Sequence, residues 1–198
     1  MSVMNHDEDR MLRLGLLLSG GGSRVRRMVS RVPASEPLGE ALAASGAPRA
    51  LLDTARNLAA AEARSVLDQV VKAGWGWLTP NDDQYPDLLK ATADPPLGLF
   101  VRGNLQALPT AAIVGSRRAT PYGRQVARLL GEELGRAGAV VVSGMARGVD
   151  GAAHRGALSV GGPSWAVWGT GPDRIYPPEH GELAEALAKT GALITEYP

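Results

Sequence analysis

Arginine in a glycine-rich turn that closes an apolar strand is a combination suited to holding phosphate. This chain places it three times: Gly115-Ser116-Arg117-Arg118, the run SGMARGVD from Ser143 to Asp150, and GTGPDRIYPP from Gly169 to Pro178. Glycine lets a backbone approach a ligand closely. Arginine supplies a planar fork of donors that matches phosphate oxygens, and the amides of a tight turn face an anion without competition. The candidate contacts are Gly115, Ser116, Arg117 and Arg118 in the first loop and Ser143, Gly144, Arg147 and Gly148 in the second. A row of such loops suits the repeating charge of a phosphodiester backbone.

Other chemistries fit these residues less well. Asp150 and His154 stand four apart at the start of a helix, where they could share a metal or orient Ser143 as a nucleophile. Two ligands do not complete a metal site, and no GxSxG elbow surrounds Ser143. Asp150 is accounted for as an N-cap whose charge also suits the helix dipole. His154 reads as a helix-surface residue, and His6 and His180 have no visible partners in the sequence. Gly169-Thr170-Gly171 opens like a dinucleotide fingerprint, but Arg174 occupies the third glycine position and Tyr176-Pro177-Pro178 interrupts the helix that should follow. The GxxxxGK[ST] phosphate loop is absent. No catalytic residue, metal or cofactor is expected.

The elements that carry these loops alternate from Thr110 onward. The apolar run Ala112-Ile113-Val114 ends in the first loop, and Thr120 followed by Pro121 predicts an N-cap with proline at the first helical position. The helix continues over Gln125–Ala137 with Val126, Leu129, Leu130 and Leu134 on one face and stops at Gly138. Strand Ala139–Val142 precedes the second loop and a helix through Val160. Strand Ser164–Trp168, a helix from Glu179 to Lys189 and strand Ala192–Glu196 follow. Near-continuous apolar strands joined by helices predict a Rossmann-like, mostly parallel sheet with helices on both faces. Strand-end loops of such a sheet lie along its carboxyl edge, where ligands bind.

Residues 1–72 read differently. Leu12–Leu18, Ser23 to Arg31, Pro37–Ser45 and Arg49 to Lys72 form helical segments, the first two separated by Gly20-Gly21-Gly22 and the second capped by Ser23. Helix, glycine turn, helix resembles a SAM-like or helix-hairpin-helix module, whose hairpin amides meet phosphate in DNA-binding versions. A packing or protein-interaction domain with a solvated arginine face accounts for the same pattern. Residues 73–104 connect this part to the sheet, with Leu97–Val101 as a strand. Trp75, Trp77 and Tyr85 could stack on bases, although aromatics at a junction more often fill its seam. The domain expectation is therefore 1–72 helical and 73–198 Rossmann-like.

Composition bounds the class. The chain has 198 residues, no cysteine and a formal charge of +1, which excludes a disulfide framework and a strongly basic coat but allows a local basic groove. An acidic N-terminus and the shortness of Leu14–Leu18 argue against a signal peptide or a membrane span, so a cytoplasmic protein is expected.

The runs IVGSRRATPYGR, VVSGMARGVDGAAHRGAL, GGPSWAVWGTGPDRIYPPEH and GALITEYP, with DDQYPDLLKATADPPLGLFVRGN before them, resemble the DNA-processing protein A (DprA/Smf) family over roughly Gly74 to Pro198. The resemblance implies a bacterial protein that binds single-stranded DNA, protects incoming strands during natural transformation and loads the RecA recombinase. It implies an extended Rossmann fold with a glycine-serine-arginine motif at the DNA site, here Gly115-Ser116-Arg117, and a second pocket loop at Ser143-Gly144 and Arg147. Members of the family continue past the equivalent of Pro198 with surfaces for homodimerisation and for RecA, so the Rossmann-like domain is expected to be incomplete at its C-terminus and to expose a poorly covered edge. An enzyme reading keeps the pocket and changes the ligand: phosphoribohydrolases share this fold type, but their PGGxGTxxE signature is absent. A third reading is a structural interaction module whose partner handles DNA.

Overall fold

The computed structural model describes residues 2–20, 22–33 and 36–198. Gly21, the centre of the expected glycine turn, lies outside the described residues. The chain forms two compact units that divide between Leu99 and Phe100. No described helix is long and apolar enough to cross a membrane.

The first unit contains α1 (Ser2–Leu18), α2 (Ser23–Val29), α3 (Leu38–Ala44), α4 (Arg49–Leu58) and α5 (Arg64–Lys72). The last two are joined by a wider π-helical turn, Ala59–Ala63. Ser23 begins α2 rather than capping it, because Gly22 holds the N-cap position. Leu12, Leu16, Val29, Leu38, Leu42 and Leu52 supply a shared core, to which Leu97 also belongs. The buried Asp9 accepts a hydrogen bond from the Leu38 amide at 3.0 Å, satisfying one of the orphan donors at the start of α3. His6 is not without a partner: its Nε2 lies 3.6 Å from Asp82, which also pairs with Arg10 at 2.6 Å. Residues 73–99 cluster with these helices and include strand β1 (Gly76–Leu78) and the short α6 (Asp87–Lys90). Trp75, Trp77 and Tyr85 are buried, so their rings pack rather than offer a stacking surface.

The second unit carries the sheet that positions the three loops. Its elements are β2 (Leu99–Gly103), β3 (Thr110–Ala112), α7 (Pro121–Arg136), β4 (Val140–Ser143), α8 (Val149–Ser159), β5 (Ser164–Val167), α9 (Gly181–Thr190) and β6 (Ala192–Thr195). The strands of this unit lie in the order β2-β6-β5-β4-β3. The pairs β3–β4, β4–β5 and β5–β6 are parallel, and β2 runs antiparallel to β6. The α/β, mostly parallel Rossmann-like fold expected from the sequence is present. Because β3, β4 and β5 are both consecutive in the chain and adjacent in the sheet, their carboxyl ends stand side by side.

The first strand is shorter than its apolar run. It ends at Ala112, the Ile113 amide still donates to the Val142 carbonyl at 3.0 Å, and Val114 is 72% exposed. Thr120 caps α7 as expected, its hydroxyl accepting from the Gly123 amide at 3.1 Å.

The buried face of α7 differs from the apolar face in the sequence. Leu129 and Leu130 are 54% and 49% exposed, whereas Ala127 and Gly131 are buried. The reason is the closeness of α8. A Cβ on Gly131 would stand 2.3 Å from the Ala153 carbonyl oxygen, and one on Gly156 would stand 2.1 Å from the Arg128 carbonyl oxygen. Two helix backbones meet there, and only the smallest side chains allow it.

His154 also departs from its surface reading, since the ring is completely buried on α8. Its Nδ1 lies 2.7 Å from Ser164 Oγ, and that hydroxyl donates to the Val141 carbonyl at 2.6 Å. The Nδ1–H is therefore the donor to Ser164, and the ring is neutral. Burial foremost, with the electrostatic influence of the neighbouring His180 and Arg155 adding to it, lowers the imidazole to about 3.

Two outcomes follow from this packing. Alanine at an exposed helical glycine adds up to about 1 kcal/mol of stability, but Gly156→Ala should destabilise by about 1–3 kcal/mol or more because its methyl has only backbone to displace. Urea unfolding of the two proteins checks the sign. The second outcome concerns pH. The unfolded imidazole takes its proton near 6.5 and the folded one only near 3, so its contribution is intact above the first value and is lost as pH falls toward the second, by up to about 1.4 kcal/mol per pH unit. His154→Asn keeps a donor toward Ser164 and removes the titration, so unfolding free energy should fall less steeply between pH 7 and 4 in the variant. Equal slopes would assign the acid loss to other groups.

Candidate nucleic-acid interface

The first two loops are built into one another. The Ser116 carbonyl accepts a hydrogen bond from the Val149 amide at 3.2 Å, across from the end of β3 to the start of α8. Gly148, the N-cap of α8, has φ +81, and a Cβ there would fall 2.2 Å from the same Ser116 oxygen. A side chain at that position is excluded both by the left-handed backbone and by the contact. Gly115 makes the reciprocal approach, since its Cβ would meet the Val149 side chain at 2.8 Å. The glycines at Gly115 and Gly148 thus serve loop-to-loop packing.

Within this frame the eight expected contacts divide. Gly115, Ser116, Arg117 and Arg118 are exposed. The Arg118 amide donates to Ser116 Oγ at 3.1 Å, which shapes the turn. Neither Arg117 nor Arg118 has a carboxylate partner among the described residues. Ser143 is buried, and its hydroxyl donates to the Ile113 carbonyl at 2.6 Å, tying the end of β4 to the first loop. Gly144 lies beneath Asp150, whose Oδ2 would be 2.8 Å from a Cβ there.

Arg147 is exposed but engaged. Its Nη2 donates to Glu179 Oε2 at 3.0 Å, its Nε donates to Glu179 Oε1, and its guanidinium stands over the Tyr176 ring at 5.9 Å from the centroid. The hydrogen bond from Arg147 holds the Glu179 carboxyl below its usual range. This pair draws the third loop to the second. A further link is the hydrogen bond between His180 Nδ1 and the Met145 carbonyl at 2.9 Å, so His180 is also partnered and is buried. In the third loop itself, Thr170 Oγ1 donates to the Arg174 carbonyl at 2.7 Å and leaves Arg174 exposed.

Asp150 is not the N-cap of α8. It lies in the first turn, buried, with Oδ2 accepting from the Ala146 amide at 3.4 Å. The cap position falls to Gly148 because the chain must turn left-handed there to clear Ser116. A Ser143–His154–Asp150 relay is not assembled either: the serine hydroxyl is given to Ile113, and the His154 ring hydrogen-bonds Ser164.

The sequence reading passed over Glu179 as the partner of Arg147, and over the arginines of the helices flanking the loops. Arg124 and Arg128 stand one turn apart on α7, and Arg155 follows His154 on α8. Their i, i+4 spacing after the first loop was the available signal.

The family model for DNA recombination-mediator protein A matches residues 76–198. Protein Smf of Escherichia coli is 46% identical over 125 residues, covering 61% of this chain and 33% of the relative. DNA processing protein DprA of Bacillus subtilis is 41% identical over 118 residues, covering 58% of this chain and 40% of the relative. Among solved structures, DNA processing protein A from Streptococcus pneumoniae superposes with a TM-score of 0.70 at 27% identity, covering 98% of this chain and 66% of that one. DNA processing protein A from Helicobacter pylori, described for its single-stranded DNA binding mode, superposes with a TM-score of 0.55 at 32% identity, covering 62% of this chain and 55% of that one. The chain spans 33% to 40% of the length of the two curated relatives named here.

Proposed function

Because this chain belongs to the DNA recombination-mediator protein A family, we propose that it binds single-stranded DNA along the carboxyl edge of its sheet and acts without catalysis. The observation that supports this most directly is the pair Arg117 and Arg118: two exposed guanidinium groups with no carboxylate partner among the described residues, on a turn braced by the Ser116–Val149 hydrogen bond. A braced turn spares the cost of ordering the backbone on binding, and the phosphodiester backbone supplies the matching anion. Gly115, Ser116, Arg117, Arg118 and Gly148 form the contact surface in this reading. Ser143 and Gly144 set its shape from below. Arg147 joins once a phosphate displaces Glu179.

In the same reading residues 1–72 are a helical domain and 73–198 the Rossmann-like, DNA-binding one, although residues 73–99 pack with the helices. It further protects incoming strands during natural transformation in the cytoplasm, forms a homodimer and loads the RecA recombinase in this reading.

Arg117→Ala should weaken binding of a labelled oligothymidylate by about ten- to a hundredfold. It should also lower the slope of log affinity against log salt by roughly 0.7, one phosphate contact's worth on a single strand. Arg117→Lys keeps the charge, loses the fork and should recover part of the affinity. Arg147→Ala should cost less than Arg117→Ala, because the Arg147 guanidinium already has Glu179. Anisotropy titrations at several salt concentrations, with thermal melts alongside, read all three. If Arg117→Ala melts and binds like the parent with the same slope, the phosphate role is wrong; if the parent prefers nucleoside monophosphates to oligonucleotides, the enzyme reading replaces it.

A further inference from the structure

Between α7 and α8 runs a groove of about 400 Å³ that begins at Gly148 and is lined by Arg124, Arg128, Gly151, Arg155 and His180. Its chemistry is one-sided. Three arginines line it, and no carboxylate does among the described residues. Each arginine retains free donors. Arg124 uses Nη1 on the Ala119 carbonyl at 2.6 Å, Arg128 uses Nε on Glu132 at 3.0 Å, and the exposed Arg155 has no hydrogen-bond or ion-pair partner among the described residues. Gly151 is buried against the His180 ring, whose Nε2 would be 3.2 Å from a Cβ there, and the absence of a side chain at this position lets the ring line the groove.

Gly148 belongs to both places. Its backbone packs on Ser116 on one side and lines this groove on the other. The Arg117–Arg118 turn and the groove are therefore joined through one shared residue.

We infer that the groove lined by Arg124, Arg128 and Arg155 is a second phosphate subsite, which takes the phosphodiester of a nucleic-acid strand as it leaves the Arg117 turn. The inference rests on the proposed strand-binding role of the carboxyl edge. Three guanidinium groups in one concave site, of which Arg128 alone has a carboxylate partner, fit the repeated charge of a strand, and the same oxygens on a free nucleotide define the competing source. Arg155 carries the site because its guanidinium has no prior engagement.

The test uses the full chain, with Arg155→Gln, Arg117→Ala and the double variant titrated with labelled oligothymidylate at several salt concentrations, and with thymidine monophosphate as competitor. Arg155 is exposed, so Arg155→Gln should melt like the parent while binding about three- to thirtyfold more weakly and losing roughly 0.7 from the salt slope. The double variant should lose about twice that slope, and Arg155→Lys should recover part of the affinity. Full binding and an unchanged slope in Arg155→Gln, with Arg117→Ala impaired, overturn the groove and leave the turn. Loss in Arg155→Gln with Arg117→Ala unimpaired overturns the turn and supports the groove. A parent that binds no oligonucleotide overturns both, and thymidine monophosphate competing at the oligonucleotide's own concentration overturns the strand as occupant.

Discussion

The carboxyl edge of the second unit depends on one close approach: the carbonyl of Ser116 meets the amide of Val149 and the bare α-carbon of Gly148. That contact joins the loop after β3 to the loop after β4. It requires a left-handed backbone at Gly148, which leaves Asp150 inside the helix instead of at its cap. Around it the other ties fall into place, with Ser143 reaching back to Ile113 from below and Glu179 and His180 bringing in the third loop. Three turns that are separate in the chain become one surface.

What that surface presents is decided by which arginines are already engaged. Arg147 has Glu179 and Arg128 has Glu132. Exposed pairs of this kind contribute little to stability, but they set the electrostatics by cancelling charge locally. Arg117, Arg118 and Arg155 are left uncancelled. A chain whose formal charge is only +1 can therefore still carry a concentrated positive edge.

Beneath the edge, the seam between α7 and α8 holds the frame rigid. Gly131 and Gly156 bring the two backbones so near that Leu129 and Leu130 are turned outward. The buried, neutral His154 fills the space under α8 and ties it to β4 and β5 through Ser164. The loops sit on a packed support, which limits the entropy lost when a ligand orders them.

The amino-acid sequence by itself determined the alternation of strand and helix, the parallel sheet, the Thr120 cap and the three glycine- and arginine-rich loops at strand ends. These are local properties: apolar runs, capping residues and turn glycines act over a few neighbours. It could not show that Gly115 and Gly148 face one another, that His154 is interior, or that Arg147 has Glu179, which lies 32 residues away. Nor could periodicity choose between the leucine face and the glycine face of α7, because burial on a helix follows how closely its neighbour approaches and not hydrophobicity alone. The unpaired state of Arg117, Arg118 and Arg155 was likewise a tertiary outcome. A charge is free or cancelled according to what the fold carries to within about 4 Å of it, and that distance is not written along the chain.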